Sequence, residues 1–133
     1  MPDKKTIDAM RKDKREGKAP STQAGEFVRE EIEHIRQGKH GARSAKQAIA
    51  IGLSKARRAG VKLAPPKKGT VPEETRAQAR RESSRGAAHR KTSAKRSRAI
   101  SKALKREGRA AASHAALSRQ ARSSAKTRQA RSR

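Results

Sequence analysis

The 133-residue chain carries 37 Lys and Arg against 12 Asp and Glu, a formal net charge of +25, and only 14 of its residues are Val, Ile, Leu or Phe. So few large apolar side chains argue against one compact domain over the whole length and favour extensive disorder. They also argue against a packed active site, so we expect no enzyme.

Charge and apolar residues are segregated along the chain. Residues 1–40 carry ten basic and eight acidic side chains, whereas residues 83–133 carry 16 basic and one acidic. Nine of the 14 large apolar residues lie within 27–63. We predict a mostly α-helical protein in four parts: a charged N-terminal arm at 1–20, a helical core at 21–63, a Pro/Lys linker at 64–72, and a basic, largely disordered Ala/Ser/Arg/Lys tail at 73–133.

The first predicted helix spans residues 22–37. Ser21 or Thr22 is a suitable N-cap, and Gly38 ends the helical pattern. Apolar residues recur along one face at helical spacing. The opposite face carries three glutamates, which we interpret as a solvated acidic surface: Glu26, Glu30 and Glu33.

The second predicted helix spans residues 45–59, with Ser44 as its N-cap and Gly60 as its stop. Its apolar face is rich in Ala and contains Gly52, so the first helix can approach closely. Ile51 falls outside this face. A fold-back of the following residues or a homodimer through 21–63 would cover it.

Three further helices are predicted beyond the core, at 72–82, 93–107 and 110–122. The first has almost no apolar face, and the second has a narrow one that contains Ile100 and Leu104. Isolated helices of this length are marginal in water. We therefore expect them to be conditional and to gain stability on a partner.

The basic residues are the strongest functional signal. Each Lys or Arg that neutralises a phosphate releases a counterion, so affinity for a polyanion rises with the number of cations. One Phe and no Tyr or Trp leave no surface for stacking unpaired bases, which favours duplex over single strands. The predicted nucleic-acid-binding residues are Arg43, Lys46, Lys55, Arg57, Arg58, Lys67, Lys68, Arg90, Lys91, Lys95, Arg96, Arg98, Lys102, Lys105, Arg106, Arg109, Arg119 and Arg122.

The four His residues raise the question of a metal site. Glu30 and His34 have i,i+4 spacing, but there is no second His at helical spacing and no Cys. We therefore predict no metal and no cofactor, and assign these side chains to a solvated helix face. The absence of Cys also excludes disulfides and thiol chemistry.

Residues 21–32, STQAGEFVREEI, and 38–60, GKHGARSAKQAIAIGLSKARRAG, resemble a family of small basic bacterial proteins of unknown function, whose members are often labelled DNA-binding proteins. The resemblance implies a bacterial, nucleoid-associated role and supplies no functional residues. The composition of the tail is similar to the tails of linker histones and their bacterial analogues.

Together these features predict a cytoplasmic, nucleoid-associated protein that binds DNA without sequence specificity and coats or compacts it. No stretch approaches 18 consecutive apolar residues, so we expect no integral membrane association. An RNA- or ribosome-associated protein is the nearest alternative. A protein–protein adaptor that uses the helix pair at 21–63 is an alternative of another class.

Overall fold

The computed structural model describes residues 2–69, 71–87 and 93–131. Over these ranges the chain is mostly helical and contains no β-strand, which confirms the predicted class. A 3₁₀ turn at Ala110–Ala112 precedes the last helix. The six α-helices are α1 (Lys4–Arg15), α2 (Pro20–Arg36), α3 (Ala45–Arg58), α4 (Glu73–Ala87), α5 (Ala94–Lys105) and α6 (His114–Arg131).

The helix pair α2–α3 forms at the predicted place. The Ser44 Oγ accepts a 3.1 Å hydrogen bond from the Gln47 backbone N–H at the start of α3. Gly38 and Gly60 follow the two helices with φ of 78° and 100°, values that favour glycine. The predicted cap of α2 is wrong, because α2 begins at Pro20, a residue suited to the first helical turn.

Close contact between α2 and α3 depends on Gly52. A Cβ at this position would overlap the backbone of Val28 in α2. The predicted close approach is therefore confirmed. Phe27 and Ile35 of α2 are fully buried, in two apolar clusters: Ile35 packs in one with Ala48 of α3, and Phe27 packs in the other with Ala56 of α3.

The N-terminal arm differs from its prediction because it forms α1 and packs on α2. Met10 is buried in one apolar cluster with Phe27 and Val61, and Ile7 packs against that cluster. Thr6 and Asp13 complete the buried face of α1. Ile7 is the one Val, Ile, Leu or Phe residue of α1, so a search for these large apolar residues did not detect the helix.

Helix α4 extends five residues beyond its predicted end at 82 and packs on α3. Its contact residues are small. Ala79 is buried, and a Cβ on Gly86 would overlap the Arg57 carbonyl oxygen of α3. Alanine and glycine can therefore supply an interface that a search for large apolar residues does not detect.

The basic tail is partly as predicted. The helix expected at 93–107 is present as α5, while the helix expected at 110–122 is divided at Ser113 and continues to Arg131. Ala111 and Ala112 are buried against α2 and α3, which attaches this region to the core. Predicted disorder of the tail is not confirmed, since its described residues beyond 92 are predominantly helical.

Candidate nucleic-acid interface

Helix α5 is a basic helix that lies on the surface. None of its residues is buried, and within the described part of the chain it packs against no other helix. At 100° per residue, four of its cations fall within an arc of about 80°. We call this the α5 basic face: Lys95, Arg98, Lys102 and Lys105.

Neighbouring residues extend the charge of this face. Arg106 caps the helix at the end of this face, whereas Arg96 lies about 100° around the helix from Lys95; both side chains are exposed. Ile100, which is 51% exposed, lies away from the basic face. The helix is thus amphipathic, but its apolar side has no partner helix among the described residues.

The loop between α2 and α3 holds the C-terminal end of α5. The Gly41 N–H donates a 2.8 Å hydrogen bond to the Leu104 carbonyl, and the Ala42 N–H donates a 3.0 Å bond to the Gly108 carbonyl. A Cβ on Gly41 would overlap the Glu107 carbonyl oxygen, so only glycine permits this approach. The loop therefore anchors one end of α5 and leaves the rest exposed.

The same loop leads into a second basic surface. Arg43 and Ser44 line an open groove of about 400 Å³ opposite Arg119 and Ser123 of α6. Lys46 on α3 and Arg122 on α6 are also exposed. Because Arg43 follows the residues that anchor α5, the α2–α3 loop connects the two basic surfaces.

Three predicted binding residues of α3 have internal partners instead. Arg57 is only 7% exposed, and its Nη2 donates a 3.0 Å hydrogen bond to the Ala64 carbonyl. Burial lowers the pKa of Arg57, an effect that the carboxylate of Glu82 opposes. The guanidinium therefore holds the segment after α3 in place, and its assignment to the interface was wrong.

Lys55 and Arg58 form ion pairs with buried carboxylates. The Lys55 Nζ contacts Glu31, and the Arg58 Nη1 lies 3.5 Å from the Glu82 Oε1. Removing either cation would leave a buried carboxylate without that partner. These two residues are also withdrawn from the predicted interface, because they join α3 to α2 and α4.

The remaining predicted residues divide into exposed and undescribed positions. Lys67 and Lys68 are exposed in the segment before α4. Arg109 is exposed, and its Nη1 donates a 3.5 Å hydrogen bond to the Arg36 carbonyl. Arg90 and Lys91 lie outside the described residues.

A cluster of different chemistry surrounds Glu31, whose side chain is fully buried. The His40 Nε2 lies 3.1 Å from the Glu31 Oε2, and the His34 Nδ1 lies 3.9 Å from the Glu31 Oε1. Lys55 contacts the same carboxylate from α3. We call these four residues the Glu31 cluster.

Asp3 and Glu30 lie beside the Glu31 cluster. The His34 Nε2 is 3.3 Å from the Asp3 Oδ2, and this hydrogen bond is the main cause of a lowered pKa for Asp3. Glu30 is buried, and its Oε1 accepts a hydrogen bond from the Asp3 N–H. The predicted solvated face for Glu30 and His34 is therefore wrong, since the His34 side chain is 12% exposed.

These features define a small basic helical protein with an exposed cationic helix. Residues 3–68, just under half of the chain, match the model of a family of unknown function, DUF6496. A search of curated proteins found no match, and a search of solved structures found none either. None of the described helices is long and apolar enough to cross a membrane.

Proposed function

We propose that this protein binds nucleic acid through its phosphates, with duplex DNA as the preferred form and without sequence specificity. The observation that carries the proposal is α5, an anchored helix with its basic side chains exposed. Within the described ranges, no Lys or Arg beyond residue 92 forms an ion pair with a carboxylate. Such cations are available to an external polyanion.

The dimensions of α5 suit a phosphate backbone. Its 12 residues span about 18 Å at 1.5 Å per residue. B-DNA advances about 3.4 Å per nucleotide along one strand, so this length covers about five nucleotides. The α5 basic face carries no acidic residue and no amide side chain, a composition suited to backbone contacts rather than to reading bases.

A coating or compacting role follows from having two basic surfaces on one chain. The α5 basic face and the groove between Arg43 and Arg119 are connected by the α2–α3 loop. A protein that contacts phosphates at two surfaces can bring separate duplex segments together. We place this activity at the nucleoid, as the charge and the resemblance suggest.

The adaptor alternative receives less support. It requires an acidic face on α2 that is available to a protein partner. Glu30 is buried beneath Asp3, and Glu26 lies 3.6 Å from Arg29 of the same helix. Glu33 is exposed, Glu26 is half-buried and Glu30 is buried.

The test is binding of the full chain to two unrelated duplex DNAs and to a structured RNA over a salt series. We expect similar affinity for both duplexes, a steep decline with salt, and weaker RNA binding. Equal or tighter binding to RNA would replace DNA by RNA as the ligand. Weak binding with a shallow salt dependence would overturn the proposal in favour of the adaptor.

Two matched variants locate the binding surface. One replaces Lys95, Arg98, Lys102 and Lys105 with Gln, and the control replaces the exposed α1 residues Lys4, Lys5, Arg11 and Lys12 with Gln. Both lose four charges. We expect the α5 variant to reduce the magnitude of the slope of log affinity against log salt by about 3 to 4, and the control to reduce it by less than 1. Equal losses would show that net charge alone drives binding.

A further inference from the structure

We propose that the Glu31 cluster is a binding site for one Zn²⁺ ion, held by Glu31 and His34 of α2 and by His40 of the α2–α3 loop. One ligand atom from each of these residues lies within 4.8 Å of the other two. Carboxylate oxygen and imidazole nitrogen are established zinc ligands. This site is separate from the basic surfaces, and the inference does not rest on the proposed function.

The hydrogen bond of His40 defines which ring nitrogen is free. Its Nδ1 lies 3.0 Å from the Gly41 carbonyl oxygen. A carbonyl oxygen only accepts, so Nδ1 must carry the proton, and the neutral ring has its lone pair on Nε2. That Nε2 lies 3.1 Å from the Glu31 Oε2, an oxygen that has no hydrogen-bond partner among the described residues.

His34 is oriented in the same way by a carboxylate. Its Nε2 lies 3.3 Å from the Asp3 Oδ2, so the ring donates through Nε2 and leaves the lone pair of a neutral ring on Nδ1. Nδ1 is the atom on the Glu31 side, 3.9 Å from Oε1. A carboxylate or carbonyl behind each His ring is the usual outer-shell support of a zinc-binding histidine.

Two imidazole lone pairs and a buried carboxylate therefore face one another. With neutral rings this arrangement is repulsive unless a cation offsets it; Lys55 does so at the Glu31 Oε1, and a Zn²⁺ ion at Oε2 would do so between the two imidazoles. The distances are suitable, because two ligands each about 2.1 Å from a tetrahedral zinc ion lie about 3.4 Å apart. The His40 Nε2 and the Glu31 Oε2 are 3.1 Å apart, close to that value, and one ligand atom of His34 lies within 4.8 Å of those of the other two residues.

The surrounding charges are consistent with a divalent ion. Asp3, Glu30 and Glu31 supply three carboxylates, and the Glu30 Oε2 is buried without a hydrogen-bond partner among the described residues. Lys55 supplies one positive charge at the Glu31 Oε1 and leaves Oε2 for the metal. A Zn²⁺ ion would offset the negative charge that Lys55 and the nearby Lys39 leave uncompensated. It would also fasten the α2–α3 loop, which anchors α5, to α2.

The test uses the full chain, stripped with a chelator and measured without nucleic acid. Zn²⁺ binding is followed by competition with a chromophoric chelator, and Co²⁺ is used as a spectroscopic probe. We expect one Zn²⁺ per chain, and a visible Co²⁺ spectrum of nitrogen and oxygen coordination. Added Zn²⁺ should raise the thermal unfolding midpoint, because the ion binds the folded chain.

Three variants decide whether this cluster holds the ion. His40→Gln should weaken Zn²⁺ binding at least about 100-fold, and Asp3→Asn, which removes the carboxylate behind His34, by about 10- to 100-fold. His114→Gln is the matched control, since His114 is exposed on α6 and should leave affinity unchanged. Circular dichroism monitors folding. If His40→Gln fails to fold, Asp3→Asn decides, because Asp3 is exposed.

Two results would overturn the inference. The first is that the folded wild-type chain binds no Zn²⁺ when the free Zn²⁺ concentration is about 100 μM, which would occupy even weak specific sites. Alternatively, His40→Gln and Asp3→Asn could bind Zn²⁺ as tightly as His114→Gln. A site that depends on His40 and Asp3 but not on His114 would support it.

Discussion

Lys and Arg have different roles in the two halves of this molecule. Every ion pair among the described residues lies between Asp3 and Glu82. Two of them join helices, because Lys55 pairs with Glu31 of α2 and Arg58 pairs with Glu82 of α4. Beyond residue 92, the described sequence offers a single carboxylate, Glu107, and the cations of α5 face solvent. Burial and the supply of acidic partners therefore separate structural cations from those available to a ligand.

Removal of the central aromatic side chain should give the largest effect in the first half. Phe27 is fully buried among Met10, Ala24, Ala56 and Val61. We expect Phe27→Ala to lower the free energy of unfolding by about 3–5 kcal/mol, as measured by chemical denaturation. DNA affinity should change much less than it does in the α5 variant. An unfolding curve equal to that of the wild type would contradict the proposed core.

The contact between α2 and α3 can be tested by two Gly→Ala substitutions, which should change the free energy of unfolding in opposite directions. Gly52→Ala should lower the free energy of unfolding by about 1–3 kcal/mol, because the new Cβ overlaps the Val28 backbone. Gly25→Ala should raise it by about 0.5–1 kcal/mol, because Gly25 lies within α2 and a Cβ there meets no neighbour within 4 Å. Urea denaturation measures both. The same sign for both variants would refute the close approach.

A pair of arginines tests the division between the two halves directly. Arg57→Gln should lower the free energy of unfolding by about 1.5–3 kcal/mol, because it removes buried hydrogen bonds to the Leu63 and Ala64 carbonyls. Arg106→Gln should change stability by less than about 0.5 kcal/mol.

For DNA binding we expect the opposite order, with the larger effect from Arg106→Gln. Arg106→Gln should reduce the magnitude of the salt slope by about 0.9, whereas Arg57→Gln should leave it unchanged. Combined denaturation and fluorescence anisotropy measure the two effects. A larger salt-slope change for Arg57→Gln would place the buried arginine in the interface after all.

The smallest expected effect concerns a surface carboxylate of α4. Hydrogen bonds from Arg76 and Arg80 lower the pKa of Glu73 below its ordinary value of 4.5. Since the folded-state pKa is lowered, the interaction stabilises the fold above pH 4.5 and is lost as the pH falls through the folded-state value. NMR titration of the Glu73 carboxyl should give a midpoint below 4.5, and the double variant Arg76→Gln/Arg80→Gln should bring it back towards 4.5.

Local signals account for the parts of the fold that the sequence predicted. The ends of α2 and α3 follow from Gly38, Ser44 and Gly60, which act within one turn of the chain. Helix α4 buries Ala and Gly, and α1 buries Met10 together with Thr6 and Asp13. The contacts of α4 are made by small residues, so a search for large apolar residues could not extend it, and the same search overlooked α1 because Ile7 is its one Val, Ile, Leu or Phe residue.

For the functional residues too, the sequence predicted only what does not depend on tertiary contacts. Exposed cations of α5 could be predicted from composition, because Glu107 is the single acidic residue beyond residue 92. The role of Arg57 could not, since its acceptors are carbonyls of the segment after α3. His40 and Asp3 reach His34 and Glu31 from separate parts of the chain. One available signal was Glu31 itself, a charged residue on the apolar face of α2, which requires a buried partner.

The most direct test of the central claim is lysine acetylation of the full chain with and without duplex DNA, read by mass spectrometry. We predict that Lys95, Lys102 and Lys105 react rapidly alone and are protected by DNA. Lys4, Lys5 and Lys12 of α1 should react in both states, and Lys55 should react slowly in both because of its ion pair with Glu31. Equal protection of α1 and α5, or protection of α1 alone, would contradict the assignment of α5 as the nucleic-acid interface.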